Sequence, residues 1–217
     1  DQCDSCGATY ESSELRNPIS KMNPSFEVEI RDTEHLFYRL DLFQEALEKH
    51  AEQRQSVWKP NVRAMTKQWL DMGLRPRAVT RDLTWGIDVP IDGQDWIGKC
   101  IYVWFEAVQG YLTCSQIWSE KYTDNSASWE SWWINNDQSN PRHYYFLGKD
   151  NVPFHTVIWP AILMGLNHVR NGKTANDVID LPATGDLHLE DNVPAMEYLM
   201  LAGGQFSKSR KHAIWLP

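Results

Sequence analysis

The sequence predicts an α/β fold with a parallel sheet, and two observations lead to this prediction. Apolar strand candidates alternate with helix candidates: residues 100–105 precede a helix over about 108–122, and residues 144–147 precede one over 153–168. Such alternation is typical of parallel strands joined by crossover helices. By contrast, residues 1–32 lack periodicity and carry a cysteine pair, so we expect loops and brief strands there.

Composition indicates a globular chain and limits its partners. The 217 residues are 42% hydrophobic, enough to bury a sizeable core. The longest apolar stretch, residues 157–166, is well short of the roughly 20 residues that a membrane span needs. A net charge of −8 argues against a surface that binds nucleic acid throughout, so we expect only local RNA contacts and no DNA or membrane partner. Four cysteines are too few for a disulfide scaffold, which favours a cytoplasmic location.

Two helices are predicted in the first third of the chain, after a strand over residues 35–40. The first helix covers residues 42–52, and its apolar residues recur at helical spacing: Phe43, Ala46 and Leu47. Pro60 can occupy the first turn of the second helix, and Gly73 can end it. One face of this helix is marked by Val62, Met65 and Trp69.

The pattern changes after residue 74, so we expect one domain over residues 1–74 and a second over 75–217. Within the second, residues 124–141 are polar but contain three tryptophans, which predicts a helical excursion packed onto the body. The chain starts without a methionine two residues before a cysteine pair and ends in an apolar run. We therefore expect it to be an internal fragment of a longer protein.

Two segments have residues suited to nucleotide chemistry. Gly148, Lys149 and Asp150 follow a predicted strand and precede a helix, the position at which open α/β sheets bind ligands. Asp150 can accept hydrogen bonds from ribose hydroxyls. Near the C-terminus, a glycine hinge precedes hydroxyls and cations that can close over phosphates, in residues 206–210. Taken singly, an ordinary capped turn explains the first segment better than a nucleotide site does, and a solvated basic loop explains the second equally well.

Four segments, in this order, together resemble the methionyl-tRNA synthetases, a class I family. They are RAVTRDLTWGI at 77–87, YVWFEA at 102–107, FLGKDNVPFH at 146–155 and FSKSR at 206–210. The resemblance extends over nearly the whole chain. It implies the C-terminal part of a Rossmann-like, parallel-sheet catalytic domain, with a small zinc-knuckle connective insert at its N-terminal end.

The resemblance also implies an activity and its residues. The family uses ATP with Mg²⁺ to activate L-methionine to methionyl adenylate, and then transfers methionyl to tRNA(Met). By the same likeness, the methionine pocket would be lined by Trp104, Ala107, Tyr111, Phe154, His155 and Trp159. Gly148 and Asp150 would contact the ATP ribose, and Arg81 would guide phosphate or the tRNA acceptor end. The catalytic loop would be formed by Ser207, Lys208 and Ser209, with Lys208 stabilising the phosphates.

Cys3 and Cys6 have the spacing of half a zinc knuckle, in which two thiolates face one metal ion. In the family an upstream cysteine pair completes the four ligands, so the resemblance implies one structural Zn²⁺ with half its ligands before Asp1. Redox activity of this pair is the alternative, although no thioredoxin-like unit follows. A second cysteine pair, which some relatives carry near residues 20–23, is absent.

Three departures from the family pattern and two rival interpretations remain. Gln205 stands where the family usually has lysine, Lys211 where it has glycine or a small polar residue, and Val108 where proline is common. The first rival is another class I synthetase, for valine, isoleucine or leucine, and the second is a non-catalytic zinc or RNA-binding module. The family's His-x-Gly-His motif is absent from this chain, so we expect the polypeptide alone to be inactive.

Overall fold

The computed structural model describes residues 14–20, 23–122, 128–136, 139–207 and 211–215. By internal contacts the chain divides into Asp1–Glu34 and His35–Pro217. The described part of the first unit has turns and extended segments but neither a strand nor an α-helix, which confirms its loop-rich character without the expected brief strands. The boundary near residue 74 and the connective insert stay predictions.

The second unit begins with two helices that lie between the strands of a short antiparallel pair. Strand β1 (Phe37–Tyr38) pairs antiparallel with β2 (Arg77–Ala78). Between them lie a 3₁₀ turn (Leu40–Phe43), helix α1 (Gln44–Gln53) and helix α2 (Pro60–Asp71). Proline opens α2 as predicted, and Gly73 ends it in the left-handed region with φ of 74°. The predicted order of strand, helix and helix is therefore confirmed.

The next region corrects one predicted strand. Strand β3 (Thr80–Asp82) pairs antiparallel with β4 (Lys99–Ile101), and helices α3 (Val103–Ala107) and α4 (Gly110–Tyr122) follow. The predicted strand over residues 100–105 thus ends at Ile101, and its pairing is antiparallel. Short apolar runs fit either a strand or a buried helix, so periodicity alone did not distinguish the two.

Helix α5 (Glu130–Trp133) is the predicted excursion on the main body. Its Trp133 is buried and meets Trp159 edge to face, with ring centroids 6.0 Å apart. The Trp133 indole also donates a hydrogen bond to the Ser115 hydroxyl of α4 at 2.9 Å. The excursion is thereby attached to both neighbouring helices.

The described strands form separate two-stranded sheets, and the parallel one lies after this excursion. Strand β5 (Leu147–Gly148) pairs in parallel with β6 (Ala195–Met196), and a parallel bridge joins Tyr144 to Asn192. Strands β7 (Met200–Leu201) and β8 (Gly204–Gln205) then form an antiparallel hairpin. The α/β class and a parallel pairing are confirmed, while the other strand pairs of the described residues are antiparallel.

The helix after β5 forms the centre of the core. A 3₁₀ turn (Lys149–Asn151) and a π-helical turn (Phe154–Ile158) lead into helix α6 (Trp159–Arg170). Pro160 has no N–H to donate, and the wider π geometry occurs in the turn just before it. The Thr66 hydroxyl of α2 donates to Thr156 at 2.8 Å. Within the described residues, no helix is long and apolar enough to cross a membrane.

The two central cysteines differ in exposure. Cys100 is buried on β4, as expected of a core residue, and its Sγ lies 3.2 Å from the Leu83 carbonyl oxygen. The places of Cys100 on a predicted strand and of Cys114 on a predicted helix indicate two core residues, and this prediction is wrong for Cys114, which is exposed on α4. Helix α4 has little amphipathic periodicity and no fully buried residue, so apolar spacing could not predict the exposure of Cys114.

Candidate active site

An aromatic cluster forms where α4, the π-helical turn and the segment before β5 meet. Tyr111 of α4 lies with its ring centroid 4.9 Å from Tyr145, 5.7 Å from His155 and 6.3 Å from Trp159. Trp159 donates its indole N–H to the Tyr145 hydroxyl at 3.0 Å. His155 and Trp159 are buried, whereas Tyr111 remains 44% exposed. Solvent or a ligand can therefore reach the cluster at Tyr111.

Hydrogen bonds fix the protonation of His155. Its Nδ1 lies 2.9 Å from the Asn151 carbonyl oxygen, which can only accept, so Nδ1 carries a proton. Burial lowers the pKa of His155, which keeps the ring neutral near pH 7 and leaves Nε2 as an acceptor. The Tyr111 hydroxyl, 2.9 Å away, therefore donates to Nε2 and keeps its own lone pairs for another donor. Burial also raises the pKa of Tyr111, so that its hydroxyl stays protonated.

Trp104 and Phe154 form a second ring pair beside this cluster. Their centroids are 5.6 Å apart, and Phe154 immediately precedes His155. Trp104 and Ala107 lie on α3 and not at the end of a strand, which corrects the predicted placement. Their spacing of three residues puts them on one helix face, and both are exposed. The five predicted pocket residues that carry rings are thus distributed over two aromatic groups.

The turn after β5 has the predicted position at the carboxyl edge of the parallel strand pair. A Cβ added to Gly148 would meet nothing within 4 Å, so a ligand can approach this backbone closely. Asp150 is exposed in the following 3₁₀ turn. Asp150 and Asn151 are residue types that often cap a following helix, which predicts a side-chain cap here, but the π-helical turn starts after Pro153 without one. Both predicted ribose contacts therefore lie in a solvent-open turn.

Arg81 lies on the antiparallel β3–β4 pair. Its guanidinium group stacks over the Tyr102 ring at 4.1 Å, and Nη1 donates to the carbonyl oxygens of Ala78 and Thr80. These contacts hold the guanidinium group of Arg81 beside the β3–β4 strand pair. Its predicted role with phosphate or the tRNA acceptor end stays a prediction.

Only part of the C-terminal loop can be described. The Ser207 N–H donates to the His212 carbonyl at 2.8 Å, and the His212 N–H donates to the Ser207 carbonyl at 2.9 Å, so these two residues form an antiparallel bridge. Lys208 and Ser209 lie outside the described residues, and so do the predicted zinc ligands Cys3 and Cys6. In the part that is described, no group of three or more His, Cys, Asp or Glu side chains could hold a metal ion.

Sequence reasoning missed Tyr145 and the carbonyl of Asn151. The signal for Tyr145 was the two-residue alternation before β5: Tyr144 and Phe146 are exposed, whereas Tyr145 faces inward. No sequence signal marks the Asn151 carbonyl, because any residue supplies a backbone oxygen. This carbonyl links the turn at Gly148 to His155 of the aromatic cluster.

Comparison with known families identifies the family of the chain. The family model described as tRNA synthetases class I (M) matches residues 1–217. Because the match covers the whole chain, the chain belongs to the class I tRNA synthetase family.

Two curated proteins that are similar to this chain in sequence share the name methionine–tRNA ligase. A methionine–tRNA ligase of Chlorobium limicola is 43% identical over 216 residues, which are 100% of this chain and 28% of that protein. A methionine–tRNA ligase of Thermoplasma volcanium is also 43% identical, over 97% of this chain and 34% of its own length. The chain therefore spans about a third of the length of these relatives.

Solved structures support the fold. The Mycobacterium tuberculosis methionyl-tRNA synthetase bound by methionyl adenylate aligns with a TM-score of 0.54 and 21% identity, over 80% of this chain and 28% of its own. A second structure of that enzyme in complex with methionyl adenylate gives 0.55 and 24%, over 81% and 28%. At this level of identity the likeness establishes a shared fold.

Proposed function

We propose that the protein carrying this chain is a methionine–tRNA ligase. It activates L-methionine with ATP and Mg²⁺ to methionyl adenylate, and then transfers the methionyl group to tRNA(Met). The observation that carries the proposal is the hydrogen bond from His155 to Asn151, because it joins an aromatic cluster to a turn suited to nucleotide binding. Family membership and the shared name of the relatives support the same assignment.

The aromatic cluster suits a thioether side chain. Sulfur interacts favourably with ring edges, and three rings lie around Tyr111, whose own ring is accessible. Trp104, Ala107 and Phe154 extend the apolar surface beside it. An apolar pocket distinguishes ligands that differ by one methylene by only about 1–3 kcal/mol, so hydrogen bonding at Tyr111 contributes to the choice of amino acid.

The chemistry requires positioning and charge stabilisation. A methionine carboxylate oxygen attacks the α-phosphorus, the new C(O)O–P bond forms, and the bond to the bridging oxygen breaks as pyrophosphate leaves with its electron pair. Gly148 and Asp150 hold the ribose, and the Lys208 ammonium stabilises the negative charge on the leaving pyrophosphate. Ser207 and Ser209 donate hydrogen bonds to the same phosphates, and Arg81 guides phosphate or the acceptor end of the tRNA.

A structural zinc ion is part of the proposal. Cys3 and Cys6 would supply two thiolates, and two further ligands would complete a tetrahedral site. Zinc would fold the connective insert and take no part in adenylate formation. Elemental analysis of the full-length protein should find about one zinc per chain, and Cys3→Ser should remove it.

Methionine-dependent exchange of pyrophosphate into ATP tests the activity in the full-length protein. We expect exchange with L-methionine and much weaker exchange with valine, isoleucine or leucine. Lys208→Ala should lower the rate by about a hundredfold or more, because a charge that acts on the leaving group is lost. Lys211→Ala, three residues further along the chain, is the matched control and should retain activity.

Two outcomes would contradict the proposal. Exchange with valine, isoleucine or leucine in preference to methionine would identify a different class I synthetase. No exchange with any of these amino acids, together with zinc-dependent RNA binding, would identify a non-catalytic module.

A further inference from the structure

A lysine and a glutamate face each other at the carboxyl edge of the parallel strands. Strands β5 and β6 pair Leu147 with Ala195 and Gly148 with Met196, so the next residues along each strand are Lys149 and Glu197. The Lys149 Nζ lies 2.7 Å from Glu197 Oε2. The parallel register therefore puts an ion pair directly beside the turn proposed to hold the ribose.

The same carboxylate also reaches helix α2. Glu197 Oε1 accepts a hydrogen bond of 3.0 Å from the Asn61 side-chain amide, in the first turn of α2. The Lys149 ammonium in turn lies 4.8 Å from the centre of the Tyr198 ring. The hydrogen bonds from Lys149 and Asn61 lower the pKa of Glu197, so its carboxylate is ionised at neutral pH. One side chain thus connects the turn, the strand β6 and the helix α2.

We propose that Glu197 is a positioning residue for the nucleotide. It holds the Lys149 ammonium between its carboxylate and the Tyr198 ring, and thereby sets the conformation of the turn that presents Gly148 and Asp150. This inference rests on the proposed function, since it assigns the ATP ribose to that turn. Glu197 itself need not touch the ligand.

Two separate side-chain interactions hold the turn at residues 149–151, so the loss of one of them should affect the binding of one substrate more than the other. Glu197 holds its first residue through Lys149, and His155 holds its last residue through the Asn151 carbonyl. Loss of the first interaction loosens Asp150, while the second still keeps the aromatic cluster in place. ATP binding should therefore weaken more than methionine binding.

Steady-state exchange kinetics of the full-length protein test this selectivity. In Glu197→Gln we expect the KM for ATP to rise roughly three- to tenfold, because the groups that position ATP are then misplaced. The KM for methionine should stay within about twofold, because the methionine pocket is unchanged. Lys149→Met should reproduce this change, and Lys149→Arg should keep a near-normal KM because its guanidinium still pairs with a carboxylate. The double variant Glu197→Gln/Lys149→Met should be no worse than either single variant, since both remove one interaction.

Asp71→Asn is the matched control. Asp71 is an exposed carboxylate that also accepts from a lysine, Lys67, at 2.7 Å, so its loss changes the net charge equally. Both KM values and the melting temperature should be unaffected in this control, and Glu197→Gln should melt at a similar temperature.

Different results would contradict the positioning role of Glu197 and the proposed methionine–tRNA ligase function. If Glu197→Gln matches Asp71→Asn, or if its KM for ATP falls because a freed Lys149 binds phosphate, the positioning role is overturned. If the unmodified protein shows no methionine-dependent exchange, the proposed function is overturned first.

Discussion

At the residue scale, the pair Tyr111 and His155 decides the polarity of the candidate pocket. The backbone carbonyl of Asn151 fixes the proton on His155 Nδ1, which makes Nε2 an acceptor for the Tyr111 hydroxyl. The direction of a side-chain hydrogen bond is therefore set by a main-chain oxygen four residues before the histidine. Such preorganisation reduces the entropy that a ligand must lose when it binds.

Removing the Tyr111 hydroxyl tests this hydrogen bond. Tyr111→Phe leaves His155 Nε2 without its donor, and a hydrogen bond of this kind contributes about 0.5–1.5 kcal/mol. We expect the KM for methionine to rise about two- to tenfold in pyrophosphate exchange, with the KM for ATP much less affected.

Tyr122→Phe provides the control on the same helix. Tyr122 is 63% exposed at the end of α4 and packs against Trp118, away from the aromatic cluster. An equal rise in the KM for methionine in both variants would show that the Tyr111 hydroxyl has no special role.

At the element scale, helices with clear caps were predictable and short strands were not. Pro60 and Gly73 bracket α2 as expected, and the apolar spacing located α1 to within two residues. The error at residues 103–105 arose because Val103, Trp104 and Phe105 favour a strand by residue type, whereas tertiary packing places them in α3. Each strand is only two or three residues long, too short for alternation to be recognised.

Close packing against α6 depends on a glycine that the sequence did not single out. A Cβ at Gly165 would lie 2.8 Å from the Tyr38 hydroxyl and 3.4 Å from the Phe43 ring. Tyr38 also donates to the Ala161 carbonyl at 2.8 Å, so it cannot move without breaking that bond. Gly165→Ala should therefore lower the free energy of unfolding by about 1–3 kcal/mol, measured by denaturant titration.

Gly110→Ala is the matched helical control. Gly110 opens α4, and a Cβ there would meet nothing within 4 Å. Alanine has the higher helix propensity, so stability should be unchanged or rise by up to about 1 kcal/mol. Adding Tyr38→Phe to Gly165→Ala should recover part of the loss, because the closest clashing atom is removed. Equal effects of the two alanine substitutions would contradict the packing argument.

At the scale of the whole molecule, a buried pair connects distant parts of the second unit. His50 of α1 lies 2.8 Å from Glu190 Oε1, and both side chains are almost fully buried. The other oxygen, Oε2, has no hydrogen-bond partner among the described residues. Leaving a buried carboxylate unpaired is costly, so His50→Leu should destabilise the protein by about 3–5 kcal/mol in denaturant titration.

A double variant separates the pair from simple packing. In His50→Leu/Glu190→Leu the carboxylate of the pair is removed together with its partner, so we expect less destabilisation than in His50→Leu alone. If the double variant loses at least as much stability as the single one, the carboxylate does not carry the cost.

Buried histidines that resist protonation should make the folded protein less stable at mildly acidic pH. Burial lowers the pKa of both His155 and His143 from the ordinary value of 6.5. Below about pH 6.5 the unfolded chain binds protons that the folded chain rejects, so stability declines as the pH falls from there through the lowered pKa. Carboxylates with lowered pKa values, such as Asp191, act in a separate range below their ordinary value of 3.8.

Melting temperatures at pH 7.5 and 5.5 measure this decline. His155→Gln cannot take up a proton, so the difference between the two temperatures should be smaller than in the unmodified protein, even though the variant melts lower at pH 7.5. The comparison within each protein removes the cost of the lost ring contacts. Burial is the largest effect on the pKa of His155; the hydrogen bond to the Asn151 carbonyl and then the charge of Glu190 act in the opposite direction, because both raise this pKa. An equal or larger temperature difference in His155→Gln would mean that this histidine is not held neutral by the fold.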